Sequence, residues 1–301
     1  MTLLIGSIQL GLIYGLLALG IYISFRILNI PDLTADGSFT LGLSVSAALT
    51  VAGHPFLGIL LAIIAGAAAG SVTGLLQTKL GIHPILAGIL TMSGLYSVNL
   101  YILGSRSNLS LIGSETVFSR MLDSLSMWDK EQVKTVIPLI FCFVCAGFLI
   151  YFFKTHLGLC IRATGNNEDM VRTSSINVDA MKITAMGVSN ACVALSGAVL
   201  AQYQGYADIS SGIGILVVGL ASAIIGEAVV GRRSVTMGLL SAIIGSLIYR
   251  FIIAAALSSN IFPAYALRIV SAVIVVIALS IPVVKNQIQL NGMRKRAQRD
   301  A

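Results

Sequence analysis

The chain has 301 residues, 56% hydrophobic and 10% charged, with mean hydropathy +0.93 and a formal net charge of +7. Soluble domains carry about 25% charged residues, so water is excluded as the main solvent. Nucleic acid is excluded as a partner too, because the basic residues are spread over short loops and the tail "KNQIQLNGMRKRAQRD", with no aromatic-interleaved basic patch.

About 20 apolar residues cross a bilayer as a helix, and the sequence repeats such runs without the short alternation of a β-barrel. The fold class is therefore an all-α polytopic membrane protein of about nine transmembrane segments, forming one membrane-spanning domain over residues 1–301. The first run, about 3–25, precedes the first basic residue, Arg26; lacking a positive n-region, it reads as a retained helix, not a cleaved signal. "NIPDLTAD" leads into the second run, about 37–53, "GHP" into the third, about 56–78, and "GIHP" into the fourth, about 84–103. A polar stretch, 104–134, contains the only tryptophan, Trp128. The fifth run, about 135–153, carries Cys142 and Cys145 as a CxxC; inside "IPLIFCFVCAGFLIYFF" they read as small packing residues, and no disulfide is expected. After the charged stretch 154–182 come runs at about 183–203, 212–231, 234–257 and 264–284, then the basic tail 285–301.

Lysine and arginine concentrate in cytoplasmic loops. With the N-terminus outside and the C-terminus inside, the inner set is Arg26, Lys79, Lys154, Arg162, Arg172, Lys182, Arg232, Arg233, Lys285, Arg294, Lys295, Arg296 and Arg299, against Arg106, Arg120, Lys130 and Lys134 outside. This N-out/C-in arrangement makes 154–182 the largest cytoplasmic loop and 104–134 the long outer one.

The chain also resembles itself. Gly37 and Gly42 of "DGSFTLG" align with Gly214 and Gly219 of "GILVVG", and Ala62–Ile64 with Ala242–Ile244. Asp32 and Asp208 mark the polar breaks before the two copies. Spans two and seven run in opposite directions, so the halves, about 1–103 and 183–284, form an inverted repeat, a common transporter plan. Asp32, Asp36 and Asp208 stand beside helix starts. Two readings remain for them: capping of free N–H groups, or lining of a substrate route by discontinuous helices.

Within 154–182, Gly158 suits a turn, and Asn166, Asn167, Glu168 and Asp169 suit an N-cap and acidic first turn of a short helix "NEDMVRTSSI", with Met170, Val171 and Ile176 as apolar contacts. The pattern KT-x-x-G-x-x-x-RA-x-G-x-N, from Lys154 to Asn167, resembles the coupling loop of bacterial ABC importer permeases, specifically the branched-chain amino acid and ribose permease class. "ILNIPDLTADGSFTLG" and "AIIGEAVVGRRSVTMGLLSAIIGSLI" are similar to segments of that class, and the likeness extends over nearly the whole chain. Glu227 departs from it, standing where the branched-chain group usually has glycine. The nearest subgroup accompanies lipoprotein-type binding proteins, some of whose members handle aromatic amino acids.

The resemblance implies a type II importer-like fold, a second permease copy in a homodimer, a cytosolic ABC ATPase dimer, and an extracellular substrate-binding (lipo)protein docking on 104–134. It implies that Gly158, Arg162, Ala163, Gly165, Asn167 and Glu168 couple to the ATPase. No G-x-x-x-x-G-K-[ST] loop occurs, so this chain has no cofactor, and ATP and Mg would be bound by the partner. No metal site and no enzyme chemistry is read from the residues.

Arg162 reads as a docking group or as a topology charge, and Arg232 and Arg233 read as topology charges that could neutralise Glu227. Arg250 and Arg268 lie within predicted spans, where a charge marks a pathway or snorkels to the surface. Asn99, Tyr101, Tyr203 and Tyr206 are vestibule or interfacial-belt candidates. The rival to an importer subunit is a self-contained secondary transporter or channel, which the repeat fits equally well.

Overall fold

Without water, every backbone N–H and C=O must be paired inside the chain, so apolar runs of this length become helices. A computed structural model describes residues 2–124, 129–231 and 234–258, with isolated positions between 269 and 280. Helix α1 (Thr2–Tyr22) continues through a wider π-helical turn, Ile23–Ile27. Then come α2 (Thr34–Val51), α3 (Pro55–Thr78), α4 (Pro84–Ile102), strand β1 (Asn108–Ser110), α5 (Val117–Ser124) and α6 (Lys130–Phe152). The second half contains α7 (His156–Asn166), α8 (Glu168–Thr173), α9 (Val178–Gln204), strand β2 (Tyr206–Asp208), a 3-10 turn Ile209–Gly212, α10 (Ile215–Val230) and α11 (Val235–Ser258). Pro55 and Pro84 open their helices, where a missing N–H costs nothing.

Among the described residues, seven stretches are long and apolar enough to cross a membrane: Leu4–Ile27, Pro55–Thr78, Pro84–Ile102, Lys130–Phe152, Val178–Gln204, Ile209–Val230 and Val235–Ala256. The predicted second run is also a helix, α2, but Asp36 and six Ser/Thr hydroxyls (Thr34, Ser38, Thr40, Ser44, Ser46 and Thr50) keep it out of that set. Those side chains explain its place. It is buried on nearly every face, packed against α3, α4 and α9. The predicted ninth run, about 264–284, lies outside the described residues apart from isolated positions.

Helices α1 and α9 form the centre. α9 packs on α1, α2 and α3, and α1 packs on α6, α10 and α11. Ile13, Leu16, Leu17, Ala18 and Leu19 of α1 are fully buried. Lipid tails are as apolar as leucine, so close fit and interhelical hydrogen bonds select these contacts. Gly66 and Gly70 let α3 lie directly on α9: a Cβ at Gly70 would stand 2.8 Å from Asn190 Cβ and would collide with the Met186 carbonyl. Ser189 and Ser196 of α9 donate to the Gly20 and Ile13 carbonyls of α1 at 2.7 and 2.8 Å, and Ser246 of α11 donates to Gly11 at 2.7 Å. Large apolar side chains of α3, α4 and α6, among them Phe56, Leu60, Leu90, Phe143 and Phe148, face outward.

The two ends of the bundle differ. At one end the exits of α4 and α9 meet, and β1 pairs antiparallel with β2 in the register Asn108↔Asp208, Leu109↔Ala207, Ser110↔Tyr206. This short pair is the one departure from helix-only structure among the described residues: both segments leave the helices together with unpaired backbone groups, and pairing satisfies them. The stretch 104–134 is accordingly not a plain loop, since it holds β1, α5 and the first turn of α6. At the opposite end lie α7 and α8. The predicted short helix is α8, capped by Asn167 with Glu168 and Asp169 in its first turn; α7 before it was not expected, and Gly158 is no turn residue. It is buried inside α7 against the Phe152 carbonyl and Phe153, a contact only a glycine permits.

Candidate functional site

The sequence between the end of α1 and the start of α2 folds back into the bundle. Asp32 stands 3% exposed opposite Asn190, which is near the middle of α9. Asp32 Oδ1 accepts from the Thr34 N–H at 2.9 Å, capping its own helix, and Oδ2 accepts from Asn190 Nδ2 at 2.6 Å. The Thr34, Thr73 and Thr91 hydroxyls continue the polar line, with 2.8 Å between the first two and 3.0 Å between the last two. One turn along α2, Asp36 does something that adjacency in sequence did not suggest. It caps a different helix: Oδ2 accepts from the Gly214 N–H and Oδ1 from the Leu216 N–H, both at 2.9 Å. Free N–H groups at the start of α10 thus meet a carboxylate supplied by α2, a favourable placement at a helix N-terminus. Gly214, with φ +80°, sits in the left-handed region that this entry requires.

Beside this junction is a cavity of about 400 Å³. Asp36 and Asn99 line it, with Thr40, Met92, Ser93, Tyr96, Ile209 and Ile213. Asn99 is 1% exposed; its Nδ2 donates to the Gly37 carbonyl at 3.3 Å, while Oδ1 has no partner among the described residues. Of the sequence-predicted pathway residues, then, Asp36 and Asn99 come together and Asp32 lies one turn away.

The others do not join them. Asp208 caps the 3-10 turn through Ser210 N–H at 2.7 Å, and accepts from Asn108 at 3.5 Å on the strand pair. Arg250 lies over the Tyr14 ring at 3.9 Å. Tyr203 donates to Gln9 at 2.7 Å and Tyr101 is 83% exposed, so neither lines the cavity. Arg268 lies outside the described residues. Sequence reasoning missed Asn190, Thr73, Thr91 and Tyr96. The signal for the first three was present: a polar residue alone in an apolar span is costly and needs a partner.

A second cavity, of about 720 Å³, opens at the α7–α8 end between the end of α1, α7 and the start of α11. Arg26 and Arg162 both line it. Glu227 pairs with Arg26; Arg232 and Arg233, the neighbours expected to neutralise it, lie outside the described residues. The pair is sheltered, with side chains 28% and 9% exposed. Gly165 lies directly against the Ile27 carbonyl and Leu28. Asn167 caps α8, accepting from the Met170 N–H at 3.1 Å. Glu168 accepts from Lys182 at 2.7 Å and from Arg172 at 2.8 Å, and Asp179 faces Arg172 and Lys79. The Lys182 ammonium, and next Arg172, hold the Glu168 carboxyl below the usual carboxylate range. So Gly158, Gly165, Asn167 and Glu168 brace the segment internally, and Arg162 is exposed. Leu157, Leu159 and Met170 are exposed apolar residues around it. Among the described residues, no group of three His, Cys, Asp or Glu side chains could hold a metal ion.

The profile of the family described as "Branched-chain amino acid transport system / permease component" matches residues 3–279. The chain is 38% identical over 271 residues to the tyrosine transport system permease protein of Clostridioides difficile (strain R20291), covering 90% of this chain and 88% of that one. It is 27% identical over 215 residues to the D-allose transport system permease protein AlsC of Escherichia coli (strain K12), covering 70% and 63%. A distant likeness, with TM-score 0.49 and 17% identity over 92% of this chain and 89% of the other, links it to the structure titled "PsaBC from Streptococcus pneumoniae in complex with Fab". Family membership sets aside the self-contained transporter or channel. Permeases of this class work with a partner that hydrolyses ATP and with a substrate-binding protein. The chain belongs to the branched-chain amino acid transport system permease family, as the multi-pass permease subunit of an ABC importer in the bacterial plasma membrane.

Proposed function

We propose that this permease moves a small amino acid-like solute, with an apolar or aromatic side chain, by alternating access between two copies of itself. The observation that carries this reading is the cavity beside the Asp36 junction, which pairs apolar and aromatic walls (Met92, Tyr96, Ile209, Ile213) with a few polar groups, the usual makeup of a small-molecule site. The relative named for tyrosine transport supports the same solute class. Nine spans, N-out and C-in, fit the charge asymmetry. Arg26, Arg162, Arg172 and Lys182 cluster at the α7–α8 end, where the cytosolic ATPase dimer docks on Arg162 and the apolar residues around it. The substrate-binding protein docks at the strand-pair end, on 104–134. The inverted repeat is supported by matching packing: α9 on α3 and α2 corresponds to α1 on α11 and α10.

The test is reconstitution of the permease with its ATPase and binding protein in proteoliposomes, measuring uptake of radiolabelled tyrosine, phenylalanine, leucine and ribose. ATP-dependent uptake of the amino acids, abolished by deleting 165–175, is expected. Uptake that persists without the ATPase, or that is confined to the sugar, refutes the reading.

A further inference from the structure

The cavity holds an arrangement that its role as a passage does not require. Asn99 lines the cavity and is almost fully buried; its amide is oriented by donation to the Gly37 carbonyl, and its Oδ1 is a buried acceptor with no partner among the described residues. Leaving a buried acceptor unpaired costs about 1–3 kcal/mol. A transported solute can supply the missing donor. Asp36 lies in the same wall, and each of its oxygens accepts one backbone N–H. A carboxylate offers about four lone-pair sites, so two remain. No Lys, Arg or His lines this cavity among the described residues. The wall therefore offers acceptors and negative charge at one place, with Met92, Tyr96 and Ile209 beside it.

We propose that Asn99 Oδ1 and Asp36 form a binding site in the permease itself for the ammonium group of the solute, with its side chain against Tyr96, Met92 and Ile209. The site selects primary ammonium compounds carrying an apolar or aromatic group, and it selects them on the positive group, not on the carboxylate. This rests on the reading above that an amino acid-like solute uses the cavity, and it assigns the recognising atoms.

The experiment separates the two. Ser93 is exposed and lines the cavity, whereas Cys142, Cys160 and Cys192 are buried and Cys145 is half-buried. In the purified permease–ATPase complex carrying Ser93→Cys, maleimide labelling of that cysteine is followed without any transport. Tyramine, which keeps ring and ammonium, is expected to slow labelling; 3-(4-hydroxyphenyl)propanoate, which keeps ring and carboxylate, is not. Asn99→Leu should raise the tyramine concentration needed by about tenfold or more, the loss of one hydrogen bond to a charged group. Asp36→Asn, close in shape and without the charge, should raise it as well, and decides the matter if Asn99→Leu does not fold. Protection by neither compound, equal protection by both, or an unchanged tyramine requirement in the folded variants overturns the proposal, whether or not amino acid uptake is observed. Protection with the expected selectivity sustains it even if uptake assays identify a different ammonium-bearing cargo.

Discussion

Removing Asn190 from its contact with Asp32 should show how much one buried hydrogen bond holds the folded-back segment in place. In membrane interiors such bonds average only about 0.6 kcal/mol, because the alternative state also finds partners. Here the acceptor is a carboxylate, the separation is 2.6 Å, and the two residues are 3% and 0% exposed, so no water stands ready to replace the donor. A bond to a charged group is worth about 1.5–3 kcal/mol, and this value governs. Asn190→Ala should cost about 2–3 kcal/mol, the bond plus a small void. Asp32→Ala should cost about as much: it loses the same bond and the cap on the Thr34 N–H, worth about 1 kcal/mol, but leaves Asn190 Nδ2 bonded to the Met186 carbonyl at 3.0 Å. The double variant counts the shared bond once, so it should fall short of the sum by about 1.5–2 kcal/mol. Reversible unfolding in mixed micelles, monitored by circular dichroism, gives the four free energies. A coupling below about 0.5 kcal/mol, the ordinary error of additivity, would refute the reasoning, for Asp32 would then have another source of donors.

The Glu227–Arg26 pair should tolerate exchange better than loss. Glu227→Gln should destabilise the protein by about 1–2 kcal/mol, discounted from the cost of breaking a fully buried pair because Arg26 is partly exposed. Arg26→Glu with Glu227→Arg should recover part of that loss in the same unfolding assay. Glu168 gives a pH signature. Its folded pKa is depressed, so its bonds to Lys182 and Arg172 stabilise above the unfolded value of about 4.3 and lose that effect as pH falls through the lower folded value. Wild type should therefore melt above Glu168→Gln at pH 7, with the gap closing below pH of about 4; a constant gap means that Glu168 acts by packing alone.

The helices were legible because hydrocarbon leaves an apolar run few alternatives. Their lateral order was not, since helices apolar on every side carry no directional pattern, and the informative residues are small ones such as Gly66 and Gly70 whose partners lie far away in sequence. The candidate site was half legible. Asp32, Asp36 and Asn99 stand out as polar groups at breaks or in spans, and Asp32 does cap the helix that follows it. That Asp36 caps α10 depends on two segments about 180 residues apart, and no local rule reaches so far. Glu227 shows the same difficulty: its pairing with Arg26 joins positions about 200 residues apart, which no local spacing announces. The strand pair was missed because each strand is three residues long, below the length at which alternation can be read.

Asp36 has one further consequence. A single side chain ties the first turn of α2 to the first turn of α10, and to part them two N–H groups must be stripped from a carboxylate inside the bundle. The tie joins one helix from each half of the sequence, so a substitution at Asp36 in the first half is felt at the entry to α10 in the second.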